Sequence, residues 1–126
     1  MKVYNFQDYD LYLSYDPADL FKQFNVTEMH GLSLKDCLED VNTPEDSYIA
    51  GWCNLTPGTD RPFVFINLTR CTTDVYTTAL IMHEMNHLYW ILYKDCIIEY
   101  EETIITEAEQ ETYKVFQLVR NSQTAN

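Results

Sequence analysis

The sequence predicts an α+β domain in which a short, mainly antiparallel sheet packs on a buried helix and is crossed by a second, acidic helix. Three observations carry this. Short runs of β-branched and aromatic residues, punctuated by turn residues, fill the chain before Arg70. An almost unbroken apolar segment spans Asp74 to Tyr93, and an acidic segment with a helical apolar stripe follows it. At 126 residues, with no repeat and no low-complexity linker, the chain reads as one domain, residues 1–126, large enough for a real core.

Val3-Tyr4-Asn5-Phe6 and Leu11-Tyr12-Leu13-Ser14-Tyr15 flank the polar stretch Gln7 to Asp10 and read as a hairpin. Asp16-Pro17 opens a short helix to about Phe24, with proline near the first helical position and Leu20, Phe21 and Phe24 on one side. Ser33-x-x-Asp36 caps a second helix, Leu34 to Val41. His30, beside Gly31, has no partner nearby in sequence and reads as a surface or packing residue. Tyr48 to Cys53 and Phe63 to Leu68 form a second hairpin around Thr56-Pro57-Gly58-Thr59-Asp60. Thr73 or Asp74 caps the apolar helix. Asp95 caps the last helix, which runs to about Val119 with Ile97, Ile104, Ala108, Val115 and Val119 as its buried stripe and Ile98, Ile105 and Phe116 along one shoulder. Residues Asn121 to Asn126 are expected to fray.

A formal charge of −12 argues against a phosphate backbone as partner, because that needs a positive surface. No run approaches the roughly 18 apolar residues of a membrane helix, and Met1-Lys2-Val3-Tyr4-Asn5 lacks the apolar core of a signal peptide. The expectation is a cytoplasmic or virion-associated protein with neither membrane nor nucleic acid as partner. Cys37, Cys53, Cys71 and Cys96 are dispersed without a Cys-x-x-Cys pair, which fits reduced, mostly buried thiols. In that setting the Asn-x-Thr triplets at Asn25, Asn54 and Asn67 carry little meaning.

The chemistry-bearing string is His83-Glu84-Met85-Asn86-His87. On a helix of about 3.6 residues per turn, His83 and His87 share a face one turn apart and can take neighbouring corners of a tetrahedral zinc. Glu84 is rotated about 100° from His83, unsuited to binding the same ion but able to reach a water beside it, as a general base must. Such a pair can also arise by chance on a polar face. Here Leu80, Ile81, Met82, Met85, Leu88, Trp90, Ile91 and Leu92 surround it, so the helix should be buried nearly all round and its ionisable groups should need compensation.

Two histidines leave a third zinc ligand to find, and a carboxylate is expected. The helical wheel of the acidic segment sets Glu102 and Glu109 beside the shoulder of the buried stripe and Glu107 on the opposite, more solvated side. The chain must also turn and come back before its side chains face the metal, which disfavours the earliest acids. Glu109 therefore ranks first, then Glu102, then Glu107.

These residues resemble the gluzincins, zinc metallopeptidases that combine His-Glu-x-x-His with a glutamate on a following helix. The resemblance rests on His83, Glu84, His87 and one of Glu109, Glu102 or Glu107, and covers about a third of the chain. By size the chain is similar to the minimal members, including peptidase-like domains related to the ImmA/IrrE group and those encoded by bacteriophages. The interval from His87 to Glu107 matches thermolysin-like enzymes, a point in favour of Glu107, but no Asn-Glu-x-x-x-Asp or Glu-x-x-Ala-Asn string is present. The resemblance implies a zincin-like fold, Zn2+ as cofactor, a peptide or protein substrate and Glu84 as the catalytic base. It also implies that the strand before the metal helix borders the cleft. Phe63 to Leu68 is then either that edge or an ordinary core strand. The rival readings are a catalytically silent zincin-like module acting in binding or structure, and an acidic DNA mimic, which would leave the histidine string unexplained.

Overall fold

Alternation along two central strands divides the molecule into layers. The computed structural model describes residues 1–38, 49–95 and 99–124. Strands β1 (Lys2–Asn5) and β2 (Asp10–Ser14) form the amino-terminal hairpin, followed by α1 (Ala18–Phe24), β3 (Glu28–Met29), β4 (Leu32–Ser33) and α2 (Leu34–Leu38). Next come β5 (Gly51–Leu55), β6 (Pro62–Asn67), a single 3-10 turn at Leu68–Arg70, α3 (Asp74–Leu92) and α4 (Glu101–Thr124). The main sheet has the order β1-β2-β6-β5, with β2 and β6 parallel and the other neighbours antiparallel. This is the small α+β domain with a mostly antiparallel sheet that the sequence predicts.

Leu11, Leu13, Val64 and Ile66 point to one face of the sheet and join Ile81, Met85 and Leu88 of α3 and Ile104, Ala108, Val115 and Val119 of α4 in one apolar core. Tyr12, Phe63 and Phe65 point to the other face, where Leu20 and Phe21 of α1 and Met29 of β3 cover them. Helix α4 lies antiparallel along α3 rather than crossing it. Tyr93, at the end of α3, bonds Glu107 near the start of α4, and Arg120 reaches back to Asp74. No helix among the described residues is long and apolar enough to cross a membrane.

Several elements match their sequence signals in detail. Asn25 closes α1 in the left-handed conformation, with φ of 55°. Pro57-Gly58 occupies the corner of the β5–β6 hairpin, Gly58 takes φ of 77°, and the Thr59 N–H donates to the Thr56 carbonyl, the pattern of a type II turn. Ser33 accepts from the Asp36 N–H at the start of α2, whose expected end at Val41 lies outside the described residues.

Other expectations are corrected. Of the two alternatives for Phe63 to Leu68, the core strand holds and the sheet edge does not: β6 pairs on both sides and all six of its residues are buried, as befits an apolar run covered on both faces. The edge is β5. Asp95 does not cap α4, which starts at Glu101, and Ile97 and Ile98, expected on its apolar side, lie outside the described residues. Residues 121–124 are not frayed but complete α4, with Ser122 buried and Gln123 donating to the carbonyls of Leu68 and Cys71. The β3–β4 hairpin escapes sequence analysis because two-residue strands show no period. Its corner is His30-Gly31, both at positive φ, and His30 Nε2 lies 2.6 Å from the Leu55 carbonyl at the end of β5, a packing role as expected.

Candidate metal and catalytic site

Thr73 caps α3 by accepting the Tyr76 N–H, and the helix runs unbroken to Leu92. Its surroundings divide it lengthwise. The sheet covers the side carrying Leu80, Ile81 and Glu84, and α4 covers the side toward Met85 and Tyr89. The third side stays in water: Tyr76, Ala79, His83, Asn86, His87 and Trp90 are exposed, Trp90 by 55%. The expectation of a helix buried nearly all round is therefore corrected, since a helix between one sheet and one helix keeps an open face.

His83 and His87 share that open face, their rings at 80° to one another and their Nε2 atoms 3.1 Å apart. A tetrahedral ion about 2.0–2.1 Å from each imidazole nitrogen would set two such atoms about 3.3–3.4 Å apart. The pair thus fits two corners of a zinc site with a few tenths of an ångström of adjustment.

Glu84 turns the other way, under the sheet edge, and is only 4% exposed. Its carboxyl has no hydrogen-bond partner among the described residues, and burial pushes its pKa up to about 7. It fits there because position 51 of β5 has no side chain. A Cβ on Gly51 would stand 3.0 Å from Glu84 Cγ, 3.1 Å from Oε1 and 3.0 Å from Leu80 Cδ1. Cys53, two residues along the same strand, feels the carboxylate too: burial first, and Glu84 second, push its thiol up to about 12. Cys53 and buried Cys71 are free thiols, as expected, while Cys96 lies outside the described residues.

Between β5 and the open side of α3 runs a groove of about 650 Å³. Cys53, Leu55 and Pro62 line it on the sheet side and His87, Trp90 and Ile91 on the helix side, with Asp60 and Lys94 as charged residues. Comparison with protein-family models, curated proteins and solved structures finds no match. The chemical reading therefore rests on the residues themselves.

The expected third ligands lie elsewhere. Glu102 and Glu109 are exposed on α4, whereas Glu107, expected to be the more solvated, is half-buried and accepts the Tyr93 hydroxyl at 2.9 Å. No group of three His, Cys, Asp or Glu side chains close enough to hold one ion occurs among the described residues. The reason is angular: α4 packs on the Met85 and Tyr89 side of α3, roughly 120–160° around the axis from His83. Sequence reasoning did not find Gly51, Cys53 or Trp90. Only Gly51 carried a signal, since a glycine inside a strand pattern marks a close approach.

Proposed function

We propose that the protein is a zinc-dependent metallopeptidase of the gluzincin kind, acting in the cytoplasm on a peptide or protein substrate. The observation that carries the reading is Glu84, a buried carboxyl without a partner among the described residues, one residue along α3 from the first of a convergent imidazole pair. His83 and His87 would hold the ion; Glu109, Glu102 and Glu107 are the third-ligand candidates that the sequence offers, and one of them would have to be carried round to the open face of α3 to reach it. Bound zinc would polarise the scissile carbonyl and acidify a water. Glu84, poised near neutrality, is matched to accept a proton there and to return it to the leaving amine. The outer edge of β5, which no strand pairs among the described residues, and the groove beside it suit an extended peptide, with main-chain bonds along the strand short of the Leu55 carbonyl that His30 meets and apolar side chains against Leu55 and Trp90.

The placement of Glu102 and Glu109 in solvent, and of Glu107 on Tyr93, favours a second reading: a zincin-like module that binds metal or a partner without turnover. One set of measurements separates the two. Metal analysis of the wild type, His83→Ala, Glu84→Gln and the three glutamate-to-alanine variants is combined with cleavage of a peptide library. The first reading expects zinc in the wild type, its loss in His83→Ala and in one glutamate variant, and retention in Glu84→Gln with cleavage reduced at least about 100-fold. Cleavage by Glu84→Gln at the wild-type rate overturns the mechanism. Zinc without cleavage in the wild type favours the second reading.

A further inference from the structure

The open side of α3 presents His83 and His87 to water together with Tyr76, Ala79 and Trp90. We propose that this face binds a second copy of the chain through one zinc ion on a two-fold axis, each copy giving two imidazoles. Metal capture by the imidazole pair is common to both readings above; the second copy goes beyond them.

The two Nε2 atoms, 3.1 Å apart, span one edge of a tetrahedron around zinc and leave the opposite edge to be filled. Cys53 and Asp60 line the groove beside His87, yet among the described residues no three His, Cys, Asp or Glu side chains stand close enough to share an ion. A tetrahedron has two-fold axes that exchange opposite edges, so the same pair from a second copy occupies the two remaining corners. Such an isologous contact closes at two copies. Both rings are exposed, so a second copy can reach them.

Charge selects the same face. A chain of −12 repels its own copy over most of its surface. From Val75 to Tyr93, however, Glu84 is the only Asp, Glu, Lys or Arg, and it is buried under the sheet, which leaves the open side of α3 neutral. The bridging cation also offsets part of the negative charge brought together. Shape agrees with charge. A two-fold axis crossing α3 near Met85 runs the two helices antiparallel. At about 1.5 Å per residue, Trp90 of one copy then stands about 7.5 Å from the axis and Ala79 of the second about 9 Å in the same direction, a large side chain against a small one. Four imidazoles leave no position for water, so the bridged dimer is a form without turnover.

The test strips the full chain of metal with EDTA, removes the chelator and titrates zinc chloride, following mass by sedimentation velocity and bound metal by atomic absorption. The expected result is a doubling of mass that saturates at half a zinc per chain and reverses in excess EDTA. His83→Ala and His87→Ala should each abolish the doubling, and Trp90→Ala should weaken it about tenfold at unchanged stoichiometry. All three side chains are exposed, so the variants should keep the fold, which circular dichroism checks. Glu102→Ala, Glu107→Ala and Glu109→Ala should dimerise like the wild type. One zinc per chain on a monomer would overturn the bridged dimer and leave the metallopeptidase reading standing, whereas no bound zinc would overturn both. A doubling that persists in EDTA or in His83→Ala would also overturn it, since the copies would then meet without the bridge.

Discussion

Glu84 is held where its ionisation opposes folding, and the sign of the resulting pH dependence follows directly. Its pKa rises from 4.5 to about 7, so between those values the folded chain keeps a proton that the unfolded chain has released. Stability of the metal-free protein therefore falls as pH rises through this window, by about 3 kcal/mol in all. Glu84→Gln removes the dependence. Thermal melts of metal-free protein should show the variant gaining on the wild type from pH 5 to pH 8, and parallel curves would contradict the burial argument. Gly51→Ala probes the same contact from the other side. The added methyl meets Glu84 and Leu80 and should cost about 1–3 kcal/mol by denaturant unfolding, with a smaller loss in a Glu84→Ala background. The three residues of the motif were legible in sequence because helical period alone puts His83 and His87 on one face and Glu84 on another. Gly51 was not legible as their neighbour, because that contact exists only once β5 lies over α3.

At the scale of elements, the carboxy-terminal turn of α4 illustrates how composition misleads. Asn121-Ser-Gln-Thr124 reads as a polar tail, yet Ser122 bonds the carbonyl one turn back, and Gln123 and Arg120 tie the helix to the entry of α3. Arg120 donates to the Cys71 carbonyl at 2.9 Å, to Gln123 at 2.6 Å, to Asp74 at 2.7 Å and to Thr77 at 3.3 Å. Because Asp74 is 80% exposed, the bonds to Cys71 and Gln123 are the weightier. Arg120→Ala should lose about 1–3 kcal/mol and speed amide exchange in the last turn of α4 and the first of α3, measured by hydrogen–deuterium exchange. The apolar stripe of α4 was readable because period survives in sequence. The polar knot was not, since its partners lie 43 to 55 residues away. The same distinction explains the sheet. The two antiparallel hairpins are local and were found, whereas the parallel pairing of β2 with β6 is remote, and without it β6 could be taken for an edge.

For the molecule as a whole, a charge of −12 on 126 residues sets a field that favours expansion. Glu101, Glu102, Glu107, Glu109 and Glu111 crowd the first half of α4. Raising monovalent salt from about 10 mM to about 150 mM shortens the Debye length from about 30 to about 8 Å and should raise the melting temperature. A fall would mean that ion pairs such as Arg61 with Asp10 outweigh the repulsion. The α+β class was legible because element types follow from local pattern. The layering was not, because which face of α3 stays open depends on where α4 docks. The parallel pairing also governs how the chain is made. Leu11 and Leu13 wait for Val64 and Ile66, which follow more than fifty residues later, so at about 5–20 residues per second a ribosome leaves that flank of the first hairpin bare for several seconds. Among the strand pairings of the main sheet, the one between its two most buried strands is thus the one that waits longest for its partner at birth.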